Sequence, residues 1–130
     1  MKTYLVTGAT RGIGRAIAER LLSKGHTVYG VYKESNSHAG QLTKKYGKQV
    51  HLIQANLANK NEVDAAIKQL TKFRFDGIVN NAGIVYLTQW EDLDFQEWEE
   101  TLTVNLTVPV KIVHGLKDSI NDGAAIVNIA

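Results

Sequence analysis

The sequence has no cysteine among its 130 residues, which excludes disulfide bonds and thiolate metal ligands. That absence is typical of the reducing cytosol, and we expect a cytoplasmic protein. No apolar run approaches the roughly 18–20 residues of a membrane-spanning helix, and the apolar run near Met1 is too short for a signal peptide. Histidine occurs four times, without metal-ligand spacing, so no metal site is expected: His26, His38, His51 and His114.

The sequence also lacks a strong excess of either positive or negative charge. The 15 basic and 13 acidic residues leave a formal net charge of +2, and there is no dense Lys/Arg block. We therefore expect neither a nucleic-acid nor a membrane partner. Hydrophobic residues make up 44% of the chain, enough for one domain spanning 1–130 with a real core.

Short β-rich runs alternate with helical patterns along the chain. This alternation predicts an α/β fold with a parallel sheet covered by helices on both faces. The predicted strands are Tyr4–Thr7, Thr27–Tyr32, Val50–Ala55, Gly77–Asn80 and Ala124–Ile129. The predicted helices are Ile13–Leu22, Gln41–Tyr46, Glu62–Leu70, Phe95–Glu99 and Thr101–Lys117.

The strongest chemical signal is a glycine loop, where the first strand ends and the first helix begins. Gly8, Gly12 and Gly14 are spaced Gly-x-x-x-Gly-x-Gly, which departs from the general G-x-G-x-x-G fingerprint. Glycines let the backbone approach a pyrophosphate, and the helix N-terminus offers unpaired N–H groups. The alternative interpretation is a tight strand–helix turn, but its place in the chain favours a dinucleotide site on a Rossmann-type fold.

At this point the chain resembles the short-chain dehydrogenase/reductase family. Thr7-Gly8 with Gly12-Ile13-Gly14 is similar to that family's cofactor loop, and Asn80-Asn81-Ala82-Gly83 is similar to its second signature. Asn105 resembles its helix asparagine, and residues 123–129 resemble the strand that leads to its catalytic serine. The motif wording is closest to the branch of 3-oxoacyl-carrier-protein reductases. The resemblance implies a doubly wound sheet with strand order 3-2-1-4-5.

The resemblance also implies roles for particular residues. The glycine loop would wrap the pyrophosphate and the adenosine ribose through Gly8, Thr10, Arg11, Gly12, Ile13 and Gly14. Asn81, Ala82 and Gly83 would line the nicotinamide-side ribose, while Asn80 braces neighbouring strands. Asn105 would be catalytic: Pro109 cannot donate to its carbonyl, which would be free for a water in a proton relay. The alternative for Pro109 is a kink tolerated for packing.

The end of the second strand bears on the choice of nicotinamide cofactor. Proteins that prefer NAD usually carry an acidic residue there, but this sequence has Tyr32 followed by Lys33. Lys33 and Arg11 could attract a 2′-phosphate, so we expect NADP(H) rather than NAD(H). Lys33 could instead be a solvated loop lysine, and a shift of two residues would bring Glu34 to the ribose and reverse the preference. Asn56-Leu57 would hold the adenine, with an uncharged acceptor where the family usually has aspartate.

The family's reaction needs a serine, a tyrosine and a lysine that the resemblance places beyond Ala130. The Tyr-x-x-x-Lys string at Tyr29–Lys33 falls on a predicted strand, and we interpret it as a coincidence. We therefore expect the chain to be a C-terminally incomplete, truncated portion without useful dehydrogenase activity. Its fifth strand would be an exposed apolar edge, which predicts self-association into a homo-oligomer.

Three interpretations stay open from the sequence. The chain is the N-terminal portion of an NADP(H)-dependent reductase of ketones or 3-oxoacyl thioesters, a module that binds a dinucleotide without turning it over, or a remnant that folds only by oligomerising. The intact loop, the Asn-Asn-Ala-Gly run and Asn105 favour the first.

Overall fold

A computed structural model describes residues 1–34 and 36–130. Over those residues five strands form one parallel sheet in the order β3-β2-β1-β4-β5, which confirms the predicted α/β Rossmann-type fold and its strand order. The strands are β1 (Thr3–Thr7), β2 (Thr27–Tyr32), β3 (Val50–Gln54), β4 (Phe75–Asn80) and β5 (Ile120–Asn128).

Helices connect the successive strands. Those in the described residues are α1 (Gly12–Ser23), α2 (Asn36–Tyr46), α3 (Lys60–Leu70), α4 (Phe95–Leu102) and α5 (Val108–Gly115). The prediction for α2 began five residues too late, because its first turn is polar and only Ala39 and Leu42 are buried. Short 3₁₀ turns follow α2, precede α4 and follow α5.

The predicted helical stretch over Thr101–Lys117 is present as far as Gly115, but it is neither separate from α4 nor regular, since the chain is helical from Phe95 to Gly115. The chain passes through a π-helical segment, Thr103–Thr107, before α5 begins, and the backbone N–H of Val108 bonds the carbonyl of Thr103, five residues back. Pro109 lies in the first turn of α5, where its missing N–H is tolerated. The proline therefore coincides with a change of hydrogen-bond register rather than a simple kink.

The core lies on both faces of the sheet. Leu5 of β1 belongs to the cluster under α3 and α5, whereas its neighbour Val6 belongs to the cluster under α1. Both side chains are fully buried. Successive residues of a strand point to opposite faces, so a strand covered on both sides is apolar throughout. This explains why β1 shows no polar alternation in the sequence.

β5 forms one edge of the sheet. It pairs with β4 alone, with a register shift between Phe75 and Gly77, and its apolar residues Ile126 and Val127 are 43% and 46% exposed. None of the helices in the described part of the chain combines the length and apolarity needed to cross a bilayer.

β1 and β4 are neighbours in the sheet, yet the chain leaves β1 towards β2 on one side and leaves β4 towards β5 on the other. The connections that leave the carboxyl ends of β1 and β4 therefore diverge, and the ends themselves lie side by side at a topological switch point. In open α/β sheets this crevice is where ligands bind.

Candidate functional site

The glycine loop runs from the end of β1 to the start of α1. Gly8 and Gly12 have φ of 66° and 54°, in the left-handed region that glycine adopts without strain. Arg11 is the N-cap of α1, but its side chain does not cap the helix, and the first turn contains no acidic residue. The N–H groups and the positive end of the helix dipole are thus available to an anion.

Gly14 has a packing role. A Cβ at this position would overlap the carbonyl oxygen of Gly8 and the side-chain amide of Asn81. That amide donates to the carbonyl of Thr7 at 3.0 Å and to the carbonyl of Gly8 at 3.3 Å. Asn81 of the second signature therefore holds the glycine loop by hydrogen bonds to its backbone. Any side chain at position 14 would push Asn81 and the loop apart.

The ends of β1 and β4 are joined by one hydroxyl. Thr7 is 2% exposed, and its Oγ1 accepts the backbone N–H groups of Asn81 and Ala82 at 3.0 and 2.9 Å. Asn80 donates from Nδ2 to Oδ1 of Asn128 on β5 at 2.9 Å, which is the bracing role expected of it. This buried network fixes the segment after β4 relative to the loop after β1.

These elements enclose a groove of about 290 Å³ at the carboxyl ends of the strands. Most of the residues predicted to hold a dinucleotide line it together: Gly8, Thr10, Arg11, Tyr32, Lys33, Asn56, Leu57, Asn81, Ala82 and Gly83. Gly12 and Gly14 shape the loop without lining the groove, and Ile13 instead lines a second cavity. The structure thus brings together the sequence motifs that follow β1, β2, β3 and β4.

One end of the groove lies beyond β2. Tyr32 is half-buried and occupies the position where an acidic residue would contact a ribose. Lys33 and Glu34 both line the groove, with Lys33 Nζ 3.9 Å from Glu34 Oε1, and their side chains are 58% and 70% exposed. A cation and a carboxylate therefore share this end.

Asn56 lies beyond β3, with its backbone and side chain both held. Its Oδ1 accepts the N–H of Ala58 at 3.0 Å, and its own N–H donates to Oε1 of Glu62 at 3.1 Å. One lone pair of that oxygen is therefore already used, and the second is available to a ligand donor.

Asn105 lies in the π-helical segment. Its Oδ1 accepts the N–H of Ile84 at 2.8 Å, and its Nδ2 donates to the carbonyl of Ile84 at 2.8 Å. The side chain thus pairs with the backbone beyond the second signature as a neighbouring strand would. Pro109 has no N–H to offer to the carbonyl of Asn105.

The second cavity, of about 1120 Å³, lies on the other side of the segment after β4. Residues 81–84 line both the groove and this cavity, and Asn105, Pro109, Val110 and Ile129 line the cavity alone. Its lining is largely apolar with a few asparagine amides, which suits a small organic molecule beside the groove.

Sequence reasoning missed several residues that line the groove, among them Tyr86, Glu100 and Val104. Tyr86 donates to Glu100 Oε2 at 2.5 Å, and this hydrogen bond raises the pKa of the tyrosine. Glu100 and Val104 are one helical turn apart. That spacing was a usable signal, since it puts both on one face of the helix that follows the second signature.

Comparisons with known proteins agree with this geometry. The family model for short chain dehydrogenase matches residues 2–130. The chain is 42% identical over 112 residues to the 3-oxoacyl-[acyl-carrier-protein] reductase FabG of Aquifex aeolicus, an alignment covering 82% of this chain and 45% of that protein. It is 34% identical over 137 aligned positions to the short-chain dehydrogenase/reductase FrzI of Cladobotryum sp, covering 99% of this chain and 52% of that protein.

Solved structures give the same picture. A blue fluorescent protein from a metagenomic library, in complex with NADPH, superposes with a TM-score of 0.91 at 30% identity, covering 99% of this chain and 55% of that one. A short chain dehydrogenase from Burkholderia cenocepacia, in complex with NADP, superposes with a TM-score of 0.89 at 32% identity, covering 98% of this chain and 54% of that one.

The chain spans about half the length of the proteins it matches. The match nevertheless covers nearly every residue of the chain and all of its motifs. With the glycine loop, the second signature and the strand order in place, the chain belongs to the short-chain dehydrogenase/reductase family, and is therefore related to NAD(P)-dependent oxidoreductases.

Proposed function

We propose that this chain is the cofactor-binding portion of an oxidoreductase that transfers hydride between NADP(H) and a carbonyl compound. The observation that carries the proposal is the convergence of four motifs on one groove, whose lining includes Arg11, the N-cap of a helix without a side-chain cap. The pyrophosphate would lie on the N–H groups of the loop at residues 8–14. Thr10 and Arg11 would hold the adenosine side, and Asn81, Ala82 and Gly83 the nicotinamide side.

The preference for NADP(H) rests on Arg11 and Lys33. Both line the groove, and Tyr32 presents no carboxylate to a 2′-phosphate. Glu34 opposes the preference because it competes for Lys33 at 3.9 Å. The two related structures with bound NADPH and NADP support the same choice. The adenine would be surrounded by Asn56, Leu57 and Val104.

A fluorescence titration with NADPH and NADH tests this proposal. We expect NADPH to bind more tightly, and Lys33→Ala and Arg11→Ala each to weaken NADPH about tenfold while leaving NADH nearly unchanged. Lys24→Ala, an exposed lysine just beyond α1 and outside the groove, is the matched control. Equal affinities for the two dinucleotides in the wild-type chain would contradict the preference.

The substrate would occupy the second cavity, beside the nicotinamide end of the groove. FabG of Aquifex aeolicus is named for reduction of a 3-oxoacyl thioester, which supports ketones or 3-oxoacyl thioesters as the substrate class. Asn105 would act as part of a proton relay through its backbone carbonyl, which Pro109 leaves without its helical partner.

The 130 residues by themselves would bind a dinucleotide without turning it over. Their one Tyr-x-x-x-Lys string starts at Tyr29, which is buried on β2 among His51, Phe73 and Phe75. General acid–base catalysis supplies about 10²–10⁴-fold in rate. Tyr29 is not placed to supply it, because it lies outside both the groove and the second cavity. NADPH consumption above background by the pure chain with a 3-oxoacyl thioester would overturn this part of the proposal.

A further inference from the structure

The segment after the second signature lies against the helix that follows it. Within this segment we define the strap as residues 84–88, which have no regular secondary structure. Alternate strap residues bond the helix: Ile84 to Asn105, Tyr86 to Glu100 at 2.5 Å and Thr88 to Glu97 at 2.6 Å.

The residues between them face solvent. Val85 is 76% exposed and Leu87 is 91% exposed. Alternation of bonded and exposed residues is the pattern of an extended chain with one face on a support. The strap is therefore docked along α4 and the π-helical segment by polar contacts and by Ile84, which packs against the core, whereas the side chains of Val85 and Leu87 contribute little to holding it there.

The two acceptors on α4 are carboxylates without a basic partner. Over residues 1–34 and 36–130, neither Glu97 nor Glu100 forms an ion pair with a lysine, arginine or histidine. Each is half-buried, and its hydrogen bond comes from a strap hydroxyl. Hydrogen bonds to an ionised acceptor are about twice as strong as neutral ones, so each hydroxyl satisfies a group that would otherwise need water.

The two pairs differ in one respect. Tyr86 and Glu100 line the nucleotide groove, whereas Thr88 and Glu97 lie outside it. Ile84 lines both the groove and the second cavity. Loss of the Tyr86 hydroxyl would therefore free the wall of the groove and also leave a bare carboxylate facing a ligand that carries a diphosphate.

We propose that Tyr86 and Glu100 are positioning residues for the dinucleotide. Their hydrogen bond holds the groove wall at residues 82–84 in place, and the Tyr86 hydroxyl shields the Glu100 carboxylate from the ligand's phosphates. This rests on the proposed function of the groove as a dinucleotide site. Neither residue touches the reacting atoms. Their effect is on affinity, and it falls equally on NADPH and NADH because it does not involve the 2′-phosphate.

The test uses Tyr86→Phe, which removes the hydroxyl and keeps the ring, with Thr88→Val as the matched control. Tyr86→Phe is expected to weaken both NADPH and NADH about tenfold, and Thr88→Val to leave both within about twofold of wild type. The second variant, Glu100→Gln, keeps an acceptor for the tyrosine but removes the charge that strengthens the hydrogen bond, so it is expected to weaken both dinucleotides, though less than Tyr86→Phe does. Adding Glu100→Gln to Tyr86→Phe removes the bare carboxylate but leaves the wall without its hydrogen bond, so it is expected to restore part of the lost affinity, which a role of the hydroxyl in holding the wall alone would not do.

A readout without dinucleotide separates the two proposals. Hydrogen exchange of the backbone amides at 82–88 is expected to be faster in Tyr86→Phe than in wild type. If wild type binds dinucleotide and Tyr86→Phe binds it equally well, the positioning role is wrong and the groove assignment stands. If wild type binds neither dinucleotide, both proposals fail, whatever the exchange rates show.

Discussion

The hydroxyl of Thr7, at the carboxyl end of β1, accepts the backbone N–H of Asn81, at the carboxyl end of β4, across 74 positions of sequence. The same oxygen accepts the N–H of Ala82. Two strands that the chain leaves in different directions are thus joined where the groove opens. The relative position of the glycine loop and the segment after β4, which both line the groove, depends on this contact.

Thr7→Val replaces the hydroxyl with a methyl group of similar size. Two backbone N–H groups would lose their acceptor, at a cost of about 1–3 kcal/mol in the free energy of unfolding. Urea denaturation would show this as a lower midpoint with an unchanged slope. Thr7→Ser keeps the oxygen and is the control. An unchanged midpoint for Thr7→Val would mean that the two N–H groups find other partners.

Gly14→Ala tests the packing of the two signatures against each other. A methyl group here would overlap the Gly8 carbonyl, and overpacking of this kind costs about 1–3 kcal/mol. We expect a lower unfolding midpoint and weaker NADPH binding together. Gly40→Ala is the matched control, because Gly40 lies in α2 with open space around its Cβ position. That change should stabilise by about 0.5–1 kcal/mol.

The fold was predictable because its signals are local or periodic. β1 and β4 are short apolar runs, and the glycine loop marks the junction between β1 and α1. The strand order was predicted from the family resemblance that these motifs carry. The π-helical segment was not predictable in the same way. Its register change requires a hydrogen bond from Val108 to Thr103 that the pattern of apolar residues does not encode.

The residues of the candidate site also divide into those that a local motif predicts and those that only the fold brings together. Motif residues such as Gly8 and Asn81 were identified because backbone geometry demands their residue types. Tyr86 and Glu100 carry no such demand, since many polar pairs could bond across the same space. Only the fold shows that positions 14 residues apart in sequence meet at the rim of the groove.

Asp76 makes stability depend on pH. The backbone N–H of Thr3 and the side-chain amide of Asn121 donate to its two oxygens, and the hydrogen bond from Thr3 is the main cause of its lowered pKa. A lowered pKa in the folded state gives stability that is present above the unfolded value of about 3.9 and is lost as pH falls through the folded pKa.

We therefore expect the urea midpoint of wild type to fall between about pH 5 and pH 3, and Asp76→Asn to flatten part of that fall. At pH 7 the Asp76→Asn variant should be less stable than wild type, because an amide accepts less strongly and one of its atoms donates. Asp122→Asn, on an exposed part of β5, is the control with the same chemical change. Parallel pH curves for wild type and Asp76→Asn would contradict this role.

The 130-residue chain is expected to self-associate through β5. The strand pairs on one side only, and Ile126 and Val127 leave more than a third of their surface exposed along that edge. Unpaired edges with apolar side chains template pairing with another chain, and a lysine on such an edge opposes it. Light scattering over a range of concentrations should show a mass that rises in wild type and stays near one chain in Val127→Lys. Val85→Lys is the control, because Val85 is more exposed than Val127 but belongs to no strand. Equal association of wild type and both variants would move the contact away from β5, and a wild-type mass that stays at one chain at every concentration would refute self-association.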